Sequence, residues 1–176
     1  MKKIFACVIT LLLLLSLLAG CNGSKVPDTM PDDFAFKIDF GLGGKNSLDT
    51  YENTFTKDLL SAGTATISFV IPAEKMLEIY DAFLEFEIHQ LPEDINAAAE
   101  LGDTIETFIH KNDYSLTYTL KGKTRTVVCN DEGPWDHKKG PPASYKNLVD
   151  FIEFITEYIY STDDYQNMPP AEGAGK

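Results

Sequence analysis

Apolar and polar residues first fall into register at Phe34. Phe34, Phe36, Ile38 and Phe40 share one face while Ala35, Lys37 and Asp39 share the other, the period of two expected of a half-buried strand. Gly41-Leu42-Gly43-Gly44 interrupts the pattern, and Leu48 to Phe55 resumes an extended run, which predicts a hairpin. A further break at Ser61-Ala62-Gly63 precedes Thr64 to Ile71, where Ile67, Phe69 and Ile71 again share a face. Three antiparallel strands follow from these runs.

The period then changes. After Pro72, which suits a first helical turn, Met76, Ile79, Tyr80, Phe83 and Leu84 recur at three and four residues, with Glu74, Glu78, Asp81 and Glu85 opposite. This predicts an amphipathic helix. Pro92 opens a segment in which Asp94 to Leu101 is expected to form a short helix closed by Gly102. Tyr114, Leu116, Tyr118 and Leu120 return to alternation, and Gly122 marks a second hairpin. A two-residue loop there sets Leu116 and Tyr118 beside Val127 and Cys129, whereas a three-residue loop would present Thr126 and Val128; the first packs better. Asn130 to Pro142 reads as a polar loop. Ser144 is expected to cap a last helix striped by Tyr145, Leu148, Ile152, Ile155 and Ile159 and widened by Phe151, Phe154 and Tyr158. Ser161 to Tyr165 reads as a capped turn and Pro169 to Lys176 as a frayed tail. The expectation is an α+β domain over residues 34–168, with an antiparallel sheet of about five strands in the order ββ(β)αββα, packed on two amphipathic helices in two layers.

Ahead of the domain the pattern is that of an export signal. Lys2 and Lys3 precede an apolar run from Ile4 to Leu18, and Leu18-Ala19-Gly20-Cys21 reads as a lipobox. The run is short for a permanent span, which needs about 20 residues. Residues 1–20 are therefore expected to be removed between Gly20 and Cys21, with a diacylglyceryl group on the Cys21 thiol. Two acyl chains would hold the protein to the outer, extracytoplasmic face of the cell membrane. Asn22 to Asp33, rich in Asn, Gly, Ser, Pro and Asp, reads as a flexible tether that makes residues 21–33 the link to the domain.

A formal charge of −12 excludes nucleic acid as a natural partner, since no basic stripe with interleaved aromatics offsets it. Cysteine usage excludes an internal disulfide: Cys7 leaves with the signal and Cys21 is spent on lipid, so Cys129 has nothing to pair with and reads as a buried thiol.

The opening Pro31-Asp32-Asp33-Phe34, the helical Ile79-Tyr80-Asp81-Ala82-Phe83, the hairpin around Gly122 and Ser161-Thr162-Asp163-Asp164-Tyr165 before Pro169 resemble, in their order, a group of uncharacterised small lipoproteins of Gram-positive, clostridial-type anaerobes. The resemblance implies the same lipobox-plus-α+β organisation and brings no functional residues with it.

Candidate chemistry is sparse. Gly41 to Ser47 has glycines before Lys45 and Ser47, but neither the spacing of a phosphate loop nor a helix after it. His89, His110 and His137 are spread over three elements without zinc-site spacing, and only convergence in space would make them a metal or catalytic set. Trp135, the single tryptophan, with Asp136 and His137 in the long loop offers an aromatic anchor for recognition. No nucleophile elbow or supported Cys is present, and no cofactor motif. The sequence therefore favours a non-enzymatic binding or interaction module with a protein or ligand partner. A small envelope enzyme or metal-dependent protein using His89, His110 and His137 is the alternative.

Overall fold

The computed structural model describes residues 26–96, 113–130 and 142–173. In chain order these residues form β1 (Ala35–Phe40), β2 (Asn46–Asp49), β3 (Thr54–Asp58), β4 (Thr64–Ser68), α1 (Ala73–Glu85), a 3-10 turn (Ile88–Gln90), β5 (Asp94–Asn96), β6 (Asp113–Leu120), β7 (Lys123–Asn130), α2 (Ala143–Ser161) and α3 (Asp163–Gln166). The strands make one sheet in the order β4-β3-β2-β1-β6-β7-β5. All neighbours are antiparallel except β5, which runs parallel to β7.

The α+β class matches expectation, but the sheet has seven strands where about five were expected. Two local effects account for the difference. Leu48 to Phe55 is not one strand, because the Asp49 carboxylate accepts the backbone N–H groups of Tyr51 at 2.9 Å and Glu52 at 3.1 Å and turns the chain. Asn53, at φ +52°, completes that turn before β3 begins. In place of the helix expected from Asp94, residues 94–96 are a strand whose Ile95 is wholly buried opposite Cys129. Burial at a sheet edge outweighs weak local preference. The rest of that expected helix, to Leu101 and Gly102, lies outside the described residues.

One face of the sheet is apolar from strand to strand. Ile67, Phe55, Leu48, Ile38, Leu116 and Val127 are successive register partners from β4 to β7. Ile79, Tyr80, Ala82 and Phe83 of α1 and Leu148, Phe151, Ile152, Ile155 and Ile159 of α2 bury themselves in the same core. Ring contacts tie the layers together, with Phe83 edge-on to Tyr118 at 4.9 Å and Phe36 to Phe151 at 6.5 Å. Cys129 is fully buried on this face of β7.

The β6–β7 hairpin takes the two-residue loop. Lys121 and Gly122 stand at φ +51° and +70°, the left-handed pair that matches strand twist, and Leu116 lies opposite Val127. At the last helix the expected cap is displaced: Pro142 occupies the cap position and Ser144 falls inside the first turn. Thr162 does cap α3, accepting the Tyr165 N–H at 3.3 Å.

Both flanks of the domain are held more closely than composition suggests. Of the expected tether, residues 26–33 lie against the domain: Val26 and Met30 pack on the core, and the Tyr80 hydroxyl donates to the Pro27 carbonyl at 2.7 Å. At the other end the expected tail is paired as far as Glu172, which donates to the Leu59 carbonyl at 3.1 Å and accepts from the Ser61 hydroxyl at 3.0 Å. Backbone groups with partners of this kind do not fray.

Candidate binding site

The covered face changes character at the tip of the β6–β7 hairpin. Going from Cys129 and Val127 towards the turn, the same face of β7 carries Arg125 and then Lys123, set opposite Tyr118 and Leu120 of β6. A cavity of about 340 Å³ opens there. Lys121, in the turn itself, adds a third cation, His89 of the 3-10 turn forms another wall, and Val26 and Pro27 close the remaining side. The volume lies within the range of small-ligand sites.

Arg125 organises this region. One terminal nitrogen donates to the His89 carbonyl at 2.8 Å and to the Tyr118 hydroxyl at 3.3 Å, and the other donates to the Leu91 carbonyl at 2.9 Å. A guanidinium has five N–H groups, so two remain. All three acceptors are neutral. Among the described residues no carboxylate comes within ion-pair distance of Arg125, Lys121 or Lys123, and none lines the cavity. A guanidinium without a carboxylate partner among the described residues, set in a hollow, is a place for an anion.

Tyr118 and His89 add to the polar side. Burial pushes the Tyr118 hydroxyl above the usual phenol range, against a smaller lowering effect of Arg125, so the proton stays on the oxygen and is available to donate. His89 has a buried Nδ1 without a hydrogen-bond partner among the described residues. At the hairpin turn the Asp33 carboxylate accepts the N–H groups of Lys121 at 3.0 Å and Gly122 at 2.5 Å, yet it does not line the cavity. Those bonds, that of Gly122 foremost, hold its carboxyl below the usual range.

His89 is the one candidate from the sequence that this cavity contains. His110, His137, Trp135, Asp136, Gly20 and Cys21 lie outside the described residues, and among the described residues no group of three or more His, Cys, Asp or Glu side chains is placed to hold a metal ion. The Gly41 to Lys45 segment is the β1–β2 hairpin loop, closed by a Gly44 N–H bond to the Gly41 carbonyl at 3.0 Å. No family model matches the chain. No curated protein matches it either.

What the cavity offers is donors. An arginine, two lysines and a phenol proton converge beside apolar Val26, Pro27 and Leu120, a set suited to holding a negatively charged group next to a nonpolar one. Sequence reasoning passed over Lys123 and Arg125, although a signal existed: in a strand with Val127 and Cys129 inward, the residues two and four positions earlier also face inward.

Proposed function

We propose that this chain is a membrane-anchored, extracytoplasmic lipoprotein whose α+β domain is a non-enzymatic binding module, with the cavity at the β6–β7 tip as its binding site. The observation that carries the reading is Arg125 in that cavity, without a carboxylate partner among the described residues and set among donors and apolar walls. Cationic and neutral donors beside apolar walls are the make-up of a site that holds an anionic group. Residues 1–20 would be the removed signal and Cys21 the site of lipid attachment, which accords with the lipobox. The resemblance to small clostridial-type lipoproteins points the same way.

Metabolic labelling tests the anchor. Radiolabelled palmitate is expected to enter the wild-type chain and to be absent from Cys21→Ser, with the wild type sedimenting with membranes. Equal labelling of the two chains would overturn it.

A further inference from the structure

We infer that the cavity at the β6–β7 tip receives the phosphate head group of an anionic amphiphile presented by the leaflet that carries the Cys21 anchor. This rests on the lipid anchor and the binding role proposed above, and it names the ligand class. Three observations support it independently of one another.

The first is charge. A chain of net −12 repels anions over most of its surface, so three cations within five residues at one hairpin tip, without an ion-pair partner among the described residues, mark the place where an anion can approach. The second is the geometry of the donors. Arg125 has two N–H groups left, its position is fixed by the His89 and Leu91 carbonyls, and the Tyr118 hydroxyl sits against it at 3.3 Å. A phosphate, with several acceptor oxygens, can take a guanidinium fork and lysine ammonium groups together. Val26, Pro27 and Leu120 then provide apolar contact for the carbons next to the phosphate.

The third is position. Val26 and Pro27 are part of the cavity wall, and Pro27 is pinned by the Tyr80 hydroxyl at 2.7 Å. Cys21 is five residues before Val26, so the covalent chain between them spans at most ~18 Å even when fully extended. An acylated Cys21 would therefore keep this wall within that distance of the lipid head groups. Tethering at that distance makes the second contact effectively intramolecular, so a weak site is enough. Lys121, Lys123 and Arg125 at the tip would face the anionic surface, with the Asp33 carboxylate held beside them on the Lys121 and Gly122 N–H groups.

The test uses the full-length chain purified in neutral detergent. Calorimetric titration with butyl phosphate is expected to show saturable binding. Binding should weaken about ten-fold, equivalent to about 1.4 kcal/mol for the pair, in the double variant Lys121→Gln/Lys123→Gln, and further in Arg125→Met. Because Arg125 also holds the 89–91 turn, the exposed lysine pair is the decisive variant, and its thermal midpoint should stay at the wild-type value. For the source of the phosphate, the protein is placed in phosphatidylcholine vesicles with or without phosphatidylglycerol, and amide exchange is followed over residues 121–125. Added protection with phosphatidylglycerol, lost in the lysine pair, supports the inference. Absence of butyl phosphate binding overturns the anion site whatever the labelling of Cys21 shows. Butyl phosphate binding with identical exchange in both vesicles, or with no palmitate on Cys21, overturns the bilayer as its source.

Discussion

The two faces of the sheet are built from different chemistry. On the covered face, Ile67, Phe55, Leu48, Ile38, Leu116 and Val127 run across six neighbouring strands under α1 and α2. On the open face, hydroxyl groups pair across strands: Thr117 with Thr126, Thr119 with Thr124 and Thr56 with Thr66, each at 2.9 Å. Tyr51 joins this layer through its hydroxyl, which contacts Thr119 at 2.9 Å and the Ala35 carbonyl at 3.1 Å. Apolar area removed from water fixes which face turns inward, whereas hydroxyl pairs exchange water for each other at little net gain. The cavity sits where that division fails: Arg125 and Lys123 continue the covered face of β7, and they face a hollow that no carboxylate of the described residues lines.

The sharpest break of this contrast is a truncation on the covered face. Phe36 has no exposed surface, packs against Phe34 at 5.9 Å and Phe151 at 6.5 Å between ring centroids, and stands opposite Tyr118. Phe36→Ala is expected to cost about 3–5 kcal/mol through lost transfer energy and the cavity left behind. The shift in denaturant midpoint at unchanged slope measures it, and a loss near that of an open-face substitution would show that the two faces are not so unequal.

A smaller effect is expected at the hairpin tip. Gly122 has φ +70°, and a Cβ there would meet nothing within 4 Å, so Gly122→Ala probes backbone conformation without a clash. The expected cost is about 1 kcal/mol. Thermal unfolding checks it, and the same variant should leave butyl phosphate affinity within two-fold if the tip keeps its shape.

Much of this division was legible in the sequence because it rests on a period of two. Phe36, Ile38 and Phe40, and later Leu116 and Tyr118, announce their face directly, and the choice of a two-residue loop at Lys121-Gly122 followed from keeping Val127 and Cys129 inward. The errors arose where short-range polar chemistry cuts across an extended run. Asp49 folds its own carboxylate onto the N–H groups of Tyr51 and Glu52, so one apparent strand becomes β2 and β3. Ile95 is a strand residue only because β7 offers it an edge and a buried place, a long-range fact with no local signature. The site was the least legible feature. Lys123 and Arg125 occupy inward positions of a strand whose other inward residues are apolar, and reading only the apolar members of that face hides them. The role of Pro27 was hidden too, since its segment has the composition of a tether and its place depends on the distant Tyr80 hydroxyl.

Asp33 sharpens the picture at the exposed edge of the hairpin. Its carboxylate binds the Lys121 and Gly122 N–H groups and is held below the usual range, so the charged form is favoured in the folded state. A depressed folded value gives stability that is present above the unfolded carboxylate range, near 3.9, and lost as pH falls through the lower folded value. Acid unfolding of Asp33→Asn is therefore expected to lack this part of the pH dependence below about pH 4, while a profile identical to wild type would remove the role. The group is fully exposed to solvent, and screening keeps the effect below that of Gly122→Ala.

The smallest effect is expected on the open face itself. Thr117 and Thr126 are register partners whose hydroxyls meet at 2.9 Å, both on β6–β7 and both away from the helices. Replacing both by valine removes the hydroxyl bond together, leaves no buried orphan, and keeps the β-branched shape that suits a strand. The double variant should differ from wild type by no more than about 0.5 kcal/mol in denaturant unfolding. A single Thr117→Val should be no worse, because water reaches the remaining hydroxyl. A loss of several kcal/mol in the double variant would mean that the open face is covered by something in the working protein or bears stability of its own. Either result would dissolve the contrast that sets the cationic hairpin tip apart.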